Sequence, residues 1–314
     1  MKAGSERQPA VGIVMPVHNR RELTLRCLRS LAHADTSGLC VRTFVVDDGS
    51  IDGTSDAIAE QFPEVVVIPG DGSLHYAAGT NRGIAAALDW GADHILAMND
   101  DSIVHPDFLQ SMIASAQREE RSVIGALLLL LSEPHRVMQV APQWRTFRGG
   151  WYVPEDLTAF TVPTELFPVE TIVGNCILYP REAVEECGLL DETNFPCGWG
   201  DVQYVARLKR ARWRLFVDPK ARVWCEPNTY PAPLHTQSAS SVLRTLFQDE
   251  RHPLNMKRQW TARWHSAPSR VAATAAFSIY IAMLSLKALG IGRATRPTRD
   301  RSLVPSAGRE STAP

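Results

Sequence analysis

Val45-Val46-Asp47-Asp48-Gly49-Ser50 and Asn99-Asp100-Asp101-Ser102 each set carboxylates directly behind an apolar run. In open α/β sheets, ligands bind at the carboxyl ends of strands, so two acidic ends of this kind imply one crevice. A carboxylate there can accept from a base N–H or a ribose hydroxyl. A second can hold a divalent cation against a diphosphate. That pairing points to a nucleotide-activated substrate. Taken singly, Asp48-Gly49 and Gly70-Asp71-Gly72 are turn signals; their order along one chain is what carries the chemistry.

The elements that must position these groups can be read from the same stretch. Val11 to Val17, Val41 to Val46, Val65 to Ile68 and His94 to Met98 are short apolar runs with little alternation, as expected of parallel strands covered on both faces. Between them, Arg21 to Ala34, Thr54 to Gln61 and Gly79 to Trp90 have helical period, and Pro106 opens a further helix running to about Gln117. This βαβα order predicts one nucleotide-binding half of a doubly wound sheet.

The string Val14-Met15-Pro16-Val17-His18-Asn19-Arg20, then Asp47 to Thr54, Gly70 to Leu74, Asn81-Arg82-Gly83 and Asn99-Asp100-Asp101 resembles a family 2 glycosyltransferase in order and spacing. Gly174 to Leu178, Gly188 to Glu192 and Gly198 to Arg207 continue the likeness into the second half. The resemblance implies an α/β GT-A fold with a Rossmann-like, mostly parallel sheet. It also implies a nucleotide-sugar donor, a divalent metal (Mg or Mn) and inversion at the anomeric carbon. By resemblance, Asp48 and Asp47 hold the base and ribose over a floor of Pro16 and Val17. Asn19, Gly72, Tyr76, Asn81, Asn99 and Asp100 complete the donor site, Asp101 holds the metal, and Asp201 is the general base. A helix N-terminus at Asp201 would keep that carboxylate ionised; Asp191 is the next candidate.

Several positions depart from the family's pattern. Asn99 offers an amide oxygen in place of the first carboxylate of the acidic triplet, a change that resembles the polysaccharide and rhamnosyl-type branch. Gly200 stands where the motif carries Glu, and Thr80 where many relatives have Arg. Cys225 replaces a frequent His, and its soft sulfur suits Mg²⁺ or Mn²⁺ poorly. Two other readings stay open on these residues: a nucleotidyltransferase, and an inactive nucleotide-sugar-binding protein.

Composition and boundaries complete the picture. A net charge of -1 over 314 residues gives no electrostatic case for nucleic acid. Six cysteines without CxxC spacing, and no secretory pattern ahead of Val11, give a cytoplasmic expectation. Residues 1–240 are expected to form the catalytic domain, with a nucleotide half over about 10–120 and an acceptor half over 121–240. A helical extension over 241–292 and a disordered tail over 293–314 follow. The uncharged run Val271 to Leu286 is shorter than the ~20 residues a bilayer-spanning helix needs. Behind Arg258, Trp260, Arg263, Trp264 and Arg270 it reads either as an interfacial helix at the inner face of an anionic membrane or as a helix packed on the catalytic domain. The expected acceptor is a glycan or lipid-linked sugar of cell-envelope polysaccharide synthesis.

Overall fold

The computed structural model describes residues 7–226, 234–249 and 252–288. The first half alternates as the periodicity requires: β1 (Ala10–Val17), α1 (Arg21–Ala32), β2 (Cys40–Asp47), α2 (Thr54–Gln61), β3 (Val66–Pro69), α3 (His75–Trp90) and β4 (His94–Met98). Then come β5 (Ile103–Val104), α4 (Phe108–Arg118) and β6 (Ser122–Leu130). An excursion of short strands follows: β7 (Val137–Gln139), β8 (Gln143–Arg145), β9 (Gly150–Tyr152) and β10 (Phe167–Pro168). The chain returns through β11 (Cys176–Pro180), α5 (Arg181–Cys187), α6 (Gly200–Arg210) and β12 (Arg214–Cys225), and the extension holds α7 (Ala239–Leu243), α8 (Met256–Ser266) and α9 (Arg270–Ala288). The expected tail from 293 lies outside the described residues.

The main sheet runs β10-β12-β6-β11-β4-β1-β2-β3. β1 pairs in parallel with both β2 and β4, with Val17 opposite Asp47 and Val11 opposite His94. Its side chains feed two cores. Val11, Ile13, Met15 and Val17 join Leu25, Ile58 and Phe108 on one face, while Val14 joins Ile84, Tyr204 and Leu208 on the other. A strand buried on both sides has no polar face to alternate with, which is why its sequence reads as an unbroken apolar run.

β11 breaks the parallel order. It lies antiparallel between β4 and β6, with Cys176 opposite Met98. This register sets the residues just before β11 beside those just after β4, and the Asn99 N–H donates to the Asn175 carbonyl at 3.0 Å. β5 pairs with the far end of β12, which carries Cys225 to the same edge.

α3 begins at His75, four residues before the start that periodicity suggests, so His75 and Tyr76 lie in its first turn and not in a loop. The Asp48 carboxylate accepts from the N–H groups of Gly72 and Leu74 through Oδ1 (2.8 and 3.2 Å) and of His75 through Oδ2 (3.0 Å). It thereby serves donors that a helix start otherwise leaves unpaired. That partner comes from another strand, and no local signal announces it.

The extension packs on the catalytic body. Arg210 donates to the His265 carbonyl at 2.7 Å, and Ala273 and Ala276 of α9 are buried. α3 itself sits close on β1 because Gly83 has no side chain: a Cβ there would fall 2.2 Å from Val14 Cγ1. Gly83→Val is expected to lower unfolding stability by roughly 1–3 kcal/mol through overpacking, measured as a reduced urea midpoint at unchanged slope.

Candidate functional site

Two adjoining clefts open above the carboxyl ends of β1, β2 and β4. The smaller, about 260 Å³, is bounded by Pro16, Val17, His18, Asp48, Gly72 and His75. The larger, about 480 Å³, is bounded by Asn99, Thr171, Gly174, Asn175, Trp199 and Asp201 on one side and by Gln139, Trp151 and Val153 on the other. Pro16, Arg20, Tyr76 and Asp100 belong to both and form the shared wall.

Asp100 and Asp101 are 2% and 5% exposed, so neither keeps a useful hydration shell. Arg20 answers both: it lies 2.8 Å from Asp100 Oδ1 and 2.8 Å from Asp101 Oδ2. Thr24 Oγ1 adds a 3.2 Å hydrogen bond to Asp100. Burial pushes the Asp100 carboxyl up to about 6; Arg20 works against that shift and the neighbouring Asp101 charge adds to it. Burial alone would lower the Arg20 pKa, but the charges of Asp100 and Asp101 outweigh it and the net direction is up. Motif order gives Arg20 no role. The usable signal was electrostatic: two consecutive buried carboxylates require a countercharge, and Arg20 follows the neighbouring strand end.

The remaining oxygens bear on the metal. Asn99 Oδ1 and Asp101 Oδ1 are buried and accept no hydrogen bond. Hard oxygen donors left free in this way suit Mg²⁺ or Mn²⁺, which take few protein ligands and complete their shell with substrate phosphates and water. Among the described residues no group of three His, Cys, Asp or Glu side chains could hold an ion by itself. Cys225 is unsuited to help, because burial first, and Asp101 second, push its thiol up to about 12.

Asp201 sits in the first turn of α6, and its Oδ2 accepts the Gly174 N–H at 2.8 Å. The approach is so close that a Cβ on Gly174 would fall 2.5 Å from that oxygen. Tyr76 reaches the same loop from α3, its hydroxyl donating to the Gly174 carbonyl at 3.3 Å. The helix N-terminus expected at Asp201 is present, and burial works against its effect on the carboxylate. Burial raises its pKa, and the N–H groups of Val202 and Gly174 offset this only in part. A raised value makes the ionised form a stronger proton acceptor.

Other predicted positions lie away from the clefts. Asp47 accepts from the Ser50 N–H at 2.9 Å and from the Ser55 hydroxyl, bracing the turn after β2. Asn19, at a positive φ of 51°, accepts the Ile51 N–H at 2.8 Å. Asn81 bonds Leu190 in both directions, at 2.9 and 3.0 Å, and donates to Glu192 at 2.7 Å. Asp101 lines neither cleft directly and meets them through Arg20. Trp151, Thr171 and Gln139 went unnoticed in the sequence, because the excursion between β6 and β11 has no periodicity that would aim them.

Residues 12–188 match the family model described as Glycosyl transferase family 2. An N-acetylglucosaminyl-diphospho-decaprenol L-rhamnosyltransferase of Mycobacterium tuberculosis (strain ATCC 25618 / H37Rv) is 30% identical over 205 residues, 58% of this chain and 66% of its own length. The O-antigen biosynthesis protein RfbC of Myxococcus xanthus is 27% identical over 247 residues, 74% of this chain and 18% of its own length. The chain thus spans just under two thirds of the first relative and a small part of the second. Among solved structures, GalNAc-T7 with UDP, GalNAc and Mn²⁺ has a TM-score of 0.60 at 13% identity, covering 90% of this chain and 58% of its own. Residues 1–349 of S. aureus TarS in complex with UDP have a TM-score of 0.53 at 12% identity, covering 87% and 70%. These two likenesses show the GT-A fold.

The raised Asp201 pKa has a stability consequence of definite sign. The folded state holds this proton more tightly than the unfolded chain, so the stabilisation present below the unfolded carboxylate range is lost as pH rises through the folded value. Asp201→Asn keeps an oxygen for the Gly174 N–H and removes the charge. It is expected to melt above wild type at about pH 7 and to lose that advantage as the pH falls toward about 4, followed by circular dichroism. Equal melting temperatures across the range would mean that burial does not strain this carboxylate.

Proposed function

The chain belongs to glycosyl transferase family 2, and we propose that it is an inverting enzyme that moves a sugar from a nucleotide-sugar donor to a hydroxyl of a glycan or lipid-linked acceptor. The observation that carries this reading is the presence of Asp201 and Asp100 on the lining of one cleft. Among the described residues, one is a desolvated carboxylate whose closest partners are backbone N–H groups; the other is held by a guanidinium. A proton acceptor and a charge-stabilising pole in one cleft are what displacement of a diphosphate by a hydroxyl requires.

The nucleotide fits the smaller cleft, over Pro16 and Val17 and beside Gly72. Asp48 acts there by fixing the loop from Gly72 to His75, and Asp47 by fixing the turn below it. Asn19 braces the turn after β2 through Ser50 and Ile51, and Asn81 ties α3 to the Leu190–Glu192 turn before α6. The sugar lies toward Tyr76 and the shared wall, and the acceptor enters the larger cleft. Asp201 takes the proton from the acceptor hydroxyl as that oxygen bonds to the anomeric carbon. The bond from that carbon to the diphosphate breaks on the opposite face, which inverts the centre. Arg20 stands on the shared wall, its terminal nitrogens engaged by Asp100 and Asp101. Asn99 and Asp101 would hold a divalent cation, which when bound neutralises charge on the departing diphosphate.

The rhamnosyltransferase relative supports a deoxyhexose donor and a lipid-diphosphate sugar as acceptor, and RfbC supports a place in envelope polysaccharide synthesis. Asp201 and Asp101 can be separated experimentally. Asp101→Ala is expected to abolish the metal dependence of nucleoside diphosphate binding in calorimetry. Asp201→Asn is expected to keep that binding and lower transfer by roughly 10²–10⁴-fold. Transfer at near wild-type rate by the Asn variant would place the base elsewhere, with Asp191 to be tried next.

The extension supports contact with an anionic membrane surface on the cytoplasmic side. Residues 252–288 contain no Asp or Glu but do contain Lys257, Arg258, Arg263, Arg270 and Lys287. Val271, Ile281, Met283 and Leu286 are exposed on α9, and Leu243 and Phe247 just before α8. No helix among the described residues is long and apolar enough to cross a membrane. Basic charge beside exposed apolar side chains suits attachment at the interface instead. The double variant Ile281→Glu, Leu286→Glu is expected to lose co-sedimentation with phosphatidylglycerol vesicles while keeping donor hydrolysis in solution. Unchanged sedimentation would remove this face from the reading.

A further inference from the structure

We propose that the larger cleft carries an acceptor-saccharide subsite with Trp151 as its stacking platform, and that the C-terminal helices α8 and α9 hold Trp151 in place. This rests on the sugar-transfer reading above and deepens it.

The cleft combines the aromatic side chains of Tyr76, Trp151 and Trp199 with a few polar residues. Trp151 and Val153 line it from the excursion, and Thr171, Gln139 and Asp201 are the polar residues on its wall. Thr171 is 1% exposed, and its hydroxyl oxygen has no hydrogen-bond partner among the described residues. A buried hydroxyl left unpaired on a cleft wall is costly unless a ligand completes it. An aromatic face with sparse, convergent hydrogen-bonding groups suits a pyranose ring, whose C–H face is apolar and whose rim is hydroxylated. The same polar atoms would be desolvated without compensation by an alkyl chain. The ligand class is therefore a saccharide, and its hydroxyl would share a cleft with Asp201.

The orientation of Trp151 is fixed from outside the catalytic half. Its indole N–H donates to Ser266 Oγ of α8 at 3.0 Å, and that hydroxyl in turn donates to the Ala262 carbonyl at 2.6 Å. With its N–H so engaged, Trp151 lines the cleft as an aromatic side chain held at its polar edge. Trp144 on the paired strand meets the ring edge-on at 5.4 Å. Behind them the turn between β8 and β9 passes through Gly149 and Gly150, with φ of 79° and 121°. The Gly149 carbonyl accepts from Arg263 Nε at 2.7 Å, and a Cβ on Gly149 would lie 3.2 Å from the Tyr280 backbone of α9. Arg263 stacks over the Tyr280 ring at 4.1 Å and joins both helices to the hairpin.

The experiment measures initial rates of transfer against acceptor concentration with a panel of alkyl glycosides, alongside calorimetric affinity for the nucleoside diphosphate. Trp151→Leu is expected to raise the acceptor KM by about 10-fold or more, with nucleoside diphosphate affinity unchanged. Trp151→Phe should restore most of the loss. Ser266→Ala, which removes the acceptor of the indole N–H together with the hydroxyl's own bond to the Ala262 carbonyl, should raise the acceptor KM by a few-fold and serves where the Leu variant does not fold. Unchanged acceptor KM in both the Leu and Ala variants would overturn the subsite. So would a parallel fall in nucleoside diphosphate affinity, because Trp151 would then be a structural residue. A wild-type protein that neither hydrolyses nor transfers from any nucleotide sugar would instead overturn the sugar-transfer reading, and the subsite with it.

Discussion

Two carboxylates on consecutive residues, both almost wholly out of water, cannot remain side by side without a cation. The burial of Asp100 and Asp101 therefore dictates much of the upper surface of this sheet. Arg20 meets the demand with one nitrogen for each carboxylate, and it can do so because β1 and β4 are paired neighbours. The arrangement leaves the second oxygen of Asp101 buried and unpaired next in sequence to the loaded pair. A site so balanced holds its charge in the folded protein and still has acceptor capacity for a cation that arrives with phosphate oxygens. Arg20 also lines both clefts, so the group that stabilises the acidic pair meets both proposed substrates.

The first half of the fold was legible for a simple reason. Strands buried on both faces, such as Val11 to Val17, carry their signal in composition, and α2 spans the Thr54–Gln61 stretch that has helical period. What failed at α3 was a tertiary effect. Its first turn is organised by Asp48, 27 residues upstream of His75, and helical period alone cannot see such a partner. The role of Asp48 shifts accordingly. Both of its oxygens serve the loop that borders the smaller cleft, so its influence on a bound base would be exerted through the backbone it holds.

Asp201 shows a different limit. Motif order singles it out as the proposed base, and the physical cause of its raised pKa is burial, which the neighbouring backbone N–H groups offset only in part. The antiparallel insertion of β11 brings the Gly174-Asn175 corner next to Asn99, and that corner presses on Asp201. A glycine is needed there for proximity. The result is a carboxylate whose ionised form is poorly solvated, held by two backbone N–H groups and facing an open cleft. Stability and base strength oppose each other at this residue, since the desolvation that raises its proton affinity also costs folding free energy above that pKa.

The C-terminal helices could be read from sequence as a separable appendage, because the uncharged run of α9 differs so much from what precedes it. Packing argues for a closer connection. Arg263 is 6% exposed, and burial lowers its pKa to about 10. A buried guanidinium with uncharged oxygens as its hydrogen-bond partners is costly to maintain, and here those partners include the Gly149 carbonyl of the hairpin that presents Trp151. Tyr280 lies under the same guanidinium, while Ile281, its neighbour in sequence, is exposed. One side of α9 thus touches the wall of the larger cleft and the adjacent side meets solvent. A surface engaged by that outer side would bear on the cleft through two helices and one buried cation, a short mechanical path with no flexible linker between α9 and the hairpin.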